Sequence, residues 1–489
     1  MATKQEGAVY DAKTLGYPKM IVLGLQHMFA MFGATVLVPL ITGLSISTTL
    51  LCAGLGTLLF HLITKKKVPA FLGSSFAFLG GYAAIAPAEG NGTMTQAELL
   101  PYACLGVATA GLVYLILAAV IKAFGTTKVM KYFPPIVTGP IIIAIGLGLA
   151  GSAISNCETN WGIALVALGL VIVFNIWGKG MAKILPILIG VLGACAVSAF
   201  FALLPITTVV DGYYCVNGSA NMQLFSVASL EAVKEASWIG LPIHKASTVF
   251  GIDWSQTSLI VSSIVAITPI ALATMMEHIG DISAISATVG KNFIKDPGLH
   301  RTLTGDGFAT TLASLVGGPA NTTYGENTGV LVLTKVYDPK VIRIAACFAA
   351  FLAFCPKFAA CIELLPTAVI GGISFVLYGM ISGAGVRNLV ENHVDFGNSR
   401  NLIIAAVILV CSLGMTNGVS FHIGSIAITL SALAVGSLAG ILLNAILPGK
   451  DFNFDDDEEQ PAGQVLVLDD TTLKVTKVKK VGKVDMFDE

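Results

Sequence analysis

Charged residues are scarce in this sequence. Of its 489 residues only 12% are Asp, Glu, Lys or Arg, whereas 55% are apolar and the mean hydropathy is +0.82. Because soluble domains carry about a quarter charged residues, this composition excludes an ordinary soluble protein and indicates a polytopic membrane protein. Charge is missing altogether from Met20 to Thr64 and from Asn401 to Gly449. Each of these runs is long enough for two crossings at roughly 20 residues apiece.

Motifs for several kinds of chemistry are also missing. The sequence has no GxxxxGK[ST] loop for ATP phosphates, no HExxH metal motif and no GxSxG serine. A membrane enzyme, the main competing class, would therefore lack a nucleophile beside a base. The cysteines form no CxxC pair, so we interpret them as small core residues and expect no metal and no cofactor. A disulfide between Cys157 and Cys215, which both fall in expected outer loops, stays open.

Hydropathy divides the apolar part of the chain into about fourteen segments, and charge sets their orientation. Basic residues cluster at alternate connections, such as Lys65 to Lys67 and Lys291 to Arg301, which by the positive-inside rule favours both termini in the cytoplasm. We therefore predict an all-α, multi-pass protein of the plasma (inner) membrane. The segments lie near 19–44, 45–64, 68–87, 98–121, 132–152, 160–178, 184–205, 256–285, 302–318, 320–334, 341–356, 364–384, 401–416 and 420–447.

A long outer loop, 206–255, separates seven segments from seven, which suggests an internal repeat. An odd number of crossings in each half makes the two copies inverted. The predicted organisation is a cytoplasmic N-terminus (1–18), a first repeat (19–205), the outer loop, a second repeat (256–447) and a cytoplasmic tail (448–489). The tail contains the acidic DFNFDDDEEQP and an alternating stretch that is either a short hairpin or disordered.

The third and tenth segments are short and resemble each other. Residues 69–78 read PAFLGSSFAF and residues 319–328 read PANTTYGENT; aligned on their prolines, Phe76 falls opposite Glu326. Both segments are opened by Pro and rich in Gly, Ser or Thr, so neither is expected to form an unbroken helix. Irregular backbone at membrane depth is tolerated where it lines a cavity, and half-helix ends then offer free N–H groups to a ligand. We therefore predict a binding site; the alternative is a polar re-entrant loop with only a packing role.

Three carboxylates, Glu277, Asp281 and Glu326, stand in or next to apolar segments of the second half. A charge at the bilayer centre costs about 2.5–3.5 kcal/mol on insertion scales, so it normally faces a cavity or a partner. Glu277 and Asp281 are four residues apart, which places them on one face of a helix. The alternative is a structural role, in which a protonated or hydrogen-bonded carboxyl ties helices together.

Three further polar residues lie in apolar segments: Gln26, His27 and His278. Gln26 and His27 of the first segment fall opposite Glu277 and His278 at nearly the offset that relates the third and tenth segments. This correspondence favours a place near the site for Gln26 and His27. We interpret His278 as a packing or interhelical hydrogen-bonding residue rather than a ligand.

Several of these stretches resemble the nucleobase–ascorbate transporter family. Residues 326–335, ENTGVLVLTK, fit its signature of an acid or amide, Asn, any residue, Gly, four residues, Thr and a base. GLQHMFAMFGATVLVPL in the first segment, PAFLGSSFAF in the third and EHIGD in the eighth are also similar to the family. NTTYGEN together with EHIG is most similar to its bacterial uracil permease branch. The resemblance covers essentially residues 15–447.

The resemblance implies a fold and a substrate. The expected fold has fourteen helices in two inverted repeats of seven, with short strands in the broken third and tenth segments. Segments 1–4 and 8–11 would form a core domain, segments 5–7 and 12–14 a gate domain, and two chains a homodimer in the lipid bilayer. The expected substrate is uracil or a related nucleobase, and no nucleic acid is implied.

The resemblance also implies which residues form the site. Glu277 and Glu326 would hold the base, while the backbone at Phe76 and Gly325 would meet its carbonyls and the Phe76 ring would stack on it. Uracil suits such a site because it is planar and alternates N–H donors with C=O acceptors along its edge. Further residues are expected to line the pocket (Ala30, Tyr324, Tyr378) or to form a supporting polar network (Gln26, His27, Ser75, Asn327).

One position departs from the uracil branch, which often has a second His where this chain has Asp281. Asp there is similar to the purine and ascorbate branches, so both the substrate range and the coupling ion depend on this residue. Asp281, together with Glu277, would carry a proton or help to coordinate Na⁺, and we favour the proton. We therefore expect a symporter that imports uracil with H⁺. The alternatives are a xanthine, uric acid or broad nucleobase permease, Na⁺ coupling, and a channel, which the broken carboxylate-bearing segment disfavours.

Overall fold

The computed structural model describes residues 8–415, 418–423 and 426–449, and most of these residues are helical. The predicted hairpin or disorder of the tail lies outside the described residues. The α-helices span Tyr17–Thr42, Ile46–Ile63, Leu79–Ile85, Gln96–Phe124, Thr126–Met130, Pro135–Gly148, Ala150–Glu158, Trp161–Ile176, Met181–Ile184, Pro186–Ala202, Val227–Glu235, Thr257–Ile267, Ala271–Val289, Leu299–Leu315, Gly325–Thr334, Pro339–Leu352, Pro356–Glu363, Thr367–Glu391, Ser399–Gly414 and Ala432–Ile446.

The helices of the described chain include six that are long and apolar enough to cross a membrane. The pair Pro339–Leu352 and Pro356–Glu363, bent by 88°, makes a seventh if it is one span. By length and composition the chain is therefore built to cross a membrane several times, as predicted. The count of fourteen crossings stays a prediction. The six long spans are Tyr17–Thr42, Ile46–Ile63, Gln96–Phe124, Pro135–Glu158, Thr257–Val289 and Thr367–Glu391; shorter apolar helices are Phe76–Ile85, Trp161–Ile176, Pro186–Ala202, Ser399–Gly414 and Ala432–Ile446.

The third and tenth segments each contain a short strand, as the resemblance implied. Leu72–Ser74 pairs antiparallel with Asn321–Thr323, and Gly73 lies opposite Thr322. Two further backbone hydrogen bonds extend this ladder: Ser75 donates to Ala320 at 2.9 Å, and Tyr324 donates to Phe71 at 3.1 Å. We call Leu72–Ser74 and Asn321–Thr323 the paired strands. They satisfy each other's backbone groups, which is what allows extended chain to exist at membrane depth.

Side chains of the flanking helices hold the paired strands in place. The Thr57 hydroxyl accepts a hydrogen bond from the Leu72 N–H at 2.9 Å, and His61 Nε2 lies 2.9 Å from the Ala70 carbonyl oxygen. On the other strand, the Thr310 hydroxyl donates to the Asn321 carbonyl at 2.7 Å, and Asn321 Nδ2 donates to the Cys52 carbonyl at 3.0 Å. Helices Ile46–Ile63 and Leu299–Leu315 therefore fix where the strands begin.

Small residues let the helices around the strands approach closely. Gly111 of helix Gln96–Phe124 faces Gly307 of helix Leu299–Leu315, and a Cβ on Gly111 would lie only 2.8 Å from the Gly307 carbonyl oxygen. Small residues at such contacts are a general feature of helix packing in membranes, because they bring the backbones together.

Two parts of the chain depart from the all-α prediction. The outer loop contains an antiparallel sheet of Thr207–Val210, Tyr213–Val216 and Gln223–Ser226, followed by helix Val227–Glu235. β-Branched and aromatic residues flank a tight Asp211-Gly212 turn whose φ angles are both positive, which is the chemistry of a hairpin. The expected segment 420–447 likewise opens with an antiparallel hairpin, Val419–Ile423 and Ile426–Leu430, before helix Ala432–Ile446. The thiols of Cys157 and Cys215 are free and buried, so the disulfide left open above does not form.

Candidate transport site

Two half-helices begin directly after the paired strands. One runs over Phe76–Ile85, starting with a 3-10 turn, and the other over Gly325–Thr334. The first N–H groups of a helix have no acceptor within the helix and carry partial positive charge. The amides of Phe76 and Gly325 can therefore donate to a ligand oxygen. The two half-helices begin at Phe76 and Gly325, so Glu326 is the second residue of its half-helix.

Two of the three predicted carboxylates, Asp281 and Glu326, lie at the start of the second half-helix. Asp281 Oδ2 accepts a 2.8 Å hydrogen bond from the Thr323 hydroxyl, and a Cβ on Gly325 would lie 4.0 Å from Asp281 Oδ1. Glu277 lies one turn before Asp281 on helix Ala271–Val289, and this helix contacts half-helix Gly325–Thr334. The structure therefore brings Asp281 to the start of the half-helix that carries Glu326, 45 residues further along the chain.

Some polar atoms of this region are buried without a hydrogen-bond partner in the described part of the chain. They include Glu277 Oε2 and Ser75 Oγ. An unpaired buried polar atom is costly, so such atoms in native proteins usually serve a function. A carboxyl oxygen accepts from N–H groups when ionised, and a serine hydroxyl both donates and accepts. These two residues therefore have capacity to bind a polar ligand.

Two aromatic rings, one of them at the start of the first half-helix, contact each other, and a third ring braces the strands. The Phe76 and Tyr378 rings meet edge to face with their centroids 6.0 Å apart. The Tyr324 hydroxyl donates to the Ser74 carbonyl at 2.7 Å, and a Cβ on Gly73 would lie 2.5 Å from the Tyr324 ring. Tyr324 therefore helps to hold the strands together; that it also lines the pocket stays a prediction. Ala30, the other residue expected there, is buried in helix Tyr17–Thr42.

The predicted polar network connects the second half-helix to the first helix. Asn327 Nδ2 donates to the His27 carbonyl at 3.1 Å and lies 3.2 Å from His27 Nδ1. Gln26, the neighbour of His27, is also buried. Asn327, the residue after Glu326, therefore fixes the start of half-helix Gly325–Thr334 relative to helix Tyr17–Thr42.

A fourth acid, Asp306, was missed from the sequence. His278 is completely buried, with Nδ1 3.2 Å from Asp306 Oδ2 and 3.4 Å from the Thr323 hydroxyl oxygen. Together with the Thr323–Asp281 hydrogen bond, these contacts form a continuous polar chain from Asp281 to Asp306. The interpretation of His278 as an interhelical polar residue agrees with this geometry. The signal for Asp306 was present, since TGDGF places a single acid inside the predicted segment 302–318.

The described residues contain no group of three or more His, Cys, Asp or Glu side chains arranged to hold a metal ion. The arrangement is instead one of hydrogen-bond acceptors, half-helix amide donors and an aromatic ring. Such a set recognises a small planar molecule by its edge and its face.

Comparison with known sequences agrees with this geometry. The sequence model of the permease family (Xan_ur_permease) matches residues 18–421. The uracil permease of Bacillus caldolyticus is 40% identical over 451 residues, which cover 90% of this chain and 94% of the relative. The uracil permease of Bacillus subtilis is 38% identical over 441 residues, covering 88% and 92%. A putative pyrimidine permease of Escherichia coli is 36% identical over 452 residues, covering 91% and 93%.

Solved structures share the fold at low sequence identity. The transmembrane domain of the cyanobacterial bicarbonate transporter BicA aligns with a TM-score of 0.61 at 13% identity, covering 84% of this chain and 98% of that domain. The murine anion transporter Slc26a9 in its inward-facing state aligns with a TM-score of 0.55 at 12% identity, covering 91% and 72%. These structures show the membrane-transporter fold, and the sequence relatives are named permeases, which rules out the enzyme class. The chain is a multi-pass membrane protein that belongs to the permease family of nucleobase–ascorbate transporters.

Proposed function

We propose that the protein is a secondary active symporter that imports uracil together with a proton. One observation carries the proposal: two half-helices, with free amides at Phe76 and Gly325, begin directly after a pair of hydrogen-bonded strands, and the acids Asp281 and Glu326 lie at the start of the second. The relatives named above are described as uracil or pyrimidine permeases, which favours a pyrimidine over xanthine or uric acid.

Uracil matches this set of groups along its edge and face. Its ring N–H groups donate to the carboxyl oxygens of Glu277 and Glu326, and its carbonyls accept from the amides of Phe76 and Gly325. The Phe76 ring stacks on the base, and Tyr378 closes the pocket from the side of helix Thr367–Glu391. An analogue of uracil that lacks one of these groups leaves a buried polar atom of the site unpaired. Such a site therefore binds uracil much more tightly than the analogue.

The proposal includes the architecture that the sequence predicted. Fourteen crossings form two inverted repeats of seven, with both termini in the cytoplasm of a cell whose plasma (inner) membrane holds the protein as a homodimer. Segments 1–4 and 8–11 form the core domain, and segments 5–7 and 12–14 form the gate domain. Apolar residues of helix Tyr17–Thr42 and helix Pro186–Ala202, including Val36 and Val191, meet across the proposed boundary. An apolar boundary supports alternating access because no strong polar contacts resist its sliding.

We assign the coupling proton to Asp281, with Glu277 as its neighbour. Two adjacent carboxyls in a buried cavity cannot both ionise cheaply, so one of them holds a proton. The membrane potential supplies about 2.3 kcal/mol per charge per 100 mV, whereas tenfold accumulation requires only about 1.4 kcal/mol. One proton per uracil is therefore sufficient to drive substantial uptake of a neutral base.

Competition for uptake tests the substrate. The purified protein in proteoliposomes takes up labelled uracil, and unlabelled uracil competes at least about tenfold better than xanthine, a difference of about 1.4 kcal/mol. Glu277→Ala and Glu326→Ala each abolish uracil binding while the protein still folds. Equal competition by xanthine would refute the uracil assignment. Retained binding in both variants would assign the two carboxylates to a structural role.

A further inference from the structure

Residues 8–16 precede the first helix and form what we call the N-terminal strap. The Val9 N–H donates to the Lys335 carbonyl at 2.9 Å, and the Tyr337 N–H donates to the Val9 carbonyl at 2.9 Å. Val9 thus pairs in parallel with Val336. This short bridge attaches the strap to the chain immediately after the half-helix that carries Glu326.

A buried carboxylate strengthens the attachment. The Ala12 N–H donates to Asp338 Oδ2 at 2.8 Å, and Asp338 is only 4% exposed. Asp338 Oδ1 accepts from the Lys340 N–H at 2.9 Å and so caps helix Pro339–Leu352. One carboxylate therefore serves both the strap and the next helix.

Tyr10 connects the strap to a second element of the site. Its hydroxyl donates to the carbonyl of Val289, the last residue of helix Ala271–Val289, at 2.9 Å. Its ring meets the Tyr337 ring edge to face with centroids 5.5 Å apart, and Lys291 Nζ lies 4.7 Å from the ring centroid. Tyr10 therefore bridges the ends of the two helices that carry Glu277 and Glu326.

An ion pair at the surface contributes less. Lys340 Nζ lies 2.9 Å from Asp11 Oδ1, and this hydrogen bond holds the pKa of Asp11 below its usual range. Both side chains are well exposed, and exposed pairs add little to stability. The strap therefore depends on the Tyr10 and Asp338 contacts.

We propose that the N-terminal strap sets the spacing between helix Ala271–Val289 and half-helix Gly325–Thr334, with Tyr10 as the positioning residue. At 1.5 Å per residue, Glu277 lies about 18 Å along its helix from Val289, and Glu326 about 14 Å along its half-helix from Lys335. Rigid helices carry a displacement at one end to the other, so releasing Tyr10 moves the two acids relative to each other. This inference rests on the proposed uracil site.

Binding measurements on purified full-length variants test the strap. Uracil affinity is measured by calorimetry for the unaltered chain, Tyr10→Ala, Tyr10→Phe and Tyr17→Ala, with thermal unfolding recorded in parallel. Tyr17, which is 74% exposed and follows the strap directly, provides the matched control. Tyr10→Ala raises the uracil Kd about threefold to thirtyfold. Tyr10→Phe keeps both ring contacts and gives a smaller rise, and Tyr17→Ala leaves the Kd unchanged.

The outcomes separate this inference from the proposed function. Absence of uracil binding by the unaltered chain refutes the proposed function before any variant is compared. Normal binding by the unaltered chain with an unchanged Kd in Tyr10→Ala overturns the strap, even if that variant unfolds at a lower temperature. If Tyr10→Ala does not fold, Tyr10→Phe decides: a Kd equal to that of the unaltered chain overturns the inference. In uptake assays, a positioning role raises KM while the maximal rate per folded protein is kept.

Discussion

The contact between Gly56 and Asn321 makes Gly56→Ala an informative substitution. A Cβ at position 56 would overlap Asn321 Nδ2 and lie 3.3 Å from Ala309 Cβ. Asn321 has little freedom to move away, because it is 1% exposed, belongs to a paired strand and donates to the Cys52 carbonyl. An added methyl group therefore displaces the strand or breaks this hydrogen bond.

The expected magnitude follows from these contacts. Overpacking costs about 1–3 kcal/mol. Leaving the buried Asn321 Nδ2 without its acceptor costs about 1–3 kcal/mol more. Ala is a better helix former than Gly by about 1 kcal/mol, which offsets part of the loss. Gly56→Ala therefore destabilises the protein by about 1–5 kcal/mol and weakens uracil binding, since the same ladder fixes the amides of Phe76 and Gly325.

Thermal unfolding and uracil binding of the detergent-purified protein measure both effects. Gly169→Ala is the matched control, because Gly169 lies within helix Trp161–Ile176 and a Cβ there meets nothing within 4 Å. The control unfolds at the same or a higher temperature and binds uracil normally. If Gly56→Ala behaves like Gly169→Ala in both assays, the paired strands do not depend on this contact and the reasoning fails.

Three further substitutions address single hydrogen bonds and the proton. Thr323→Val removes the donor to Asp281 and destabilises the protein by about 1.5–3 kcal/mol in thermal unfolding, whereas Thr323→Ser keeps the hydroxyl and most of the stability. Tyr324→Phe loses the hydrogen bond to the Ser74 carbonyl but keeps the ring packing, and unfolds with about 0.5–1.5 kcal/mol less stability. Asp281→Asn mimics the protonated acid, so uracil binding is kept while uptake by proteoliposomes no longer responds to a pH gradient.

Each of these expectations has a result that would contradict it. Equal stability of Thr323→Val and Thr323→Ser would show that the hydroxyl is not needed. For Tyr324→Phe the control is Tyr17→Phe, at an exposed position; an equal effect of both would remove the Ser74 contact as the cause. For Asp281→Asn, uptake is measured under an imposed pH gradient in sodium-free buffer. Failure of the unaltered protein to respond there, with recovery on adding Na⁺, would assign Asp281 to a sodium site.

The sequence was most informative where a local rule was broken. Pro69 and Pro319 open segments too polar and too rich in small residues for a spanning helix, and both proved to hold strands. Glu277, Asp281 and Glu326 were conspicuous because charge is expensive in an apolar segment. Strand pairing partners, by contrast, are selected by the fold, so the register of Leu72–Ser74 against Asn321–Thr323 was not visible in the sequence.

Other features depend on contacts between distant residues and were not visible from the sequence. Tyr324 has the residue type of a pocket wall, but its hydroxyl is held by Ser74, 250 residues away. Asp306 is visible in the sequence as the single acid of TGDGF, but its contact with His278 on another helix is not. The sheet of the outer loop was missed because a hydropathy reading treats any non-apolar stretch as a connection.

The paired strands have a consequence for how the protein is made. The strand that pairs with Leu72–Ser74 is synthesised about 250 residues later, because Leu72 lies opposite Thr323. At about 5–20 residues per second, this delay amounts to roughly 12–50 s. During that time the first strand is without its ladder, although an unpaired backbone group in hydrocarbon costs several kcal/mol. The nascent chain therefore has to keep residues 72–74 in contact with water, protein or the insertion machinery until its second half is synthesised. A ribosome that stalls between the two strands leaves a first half whose strand has no partner.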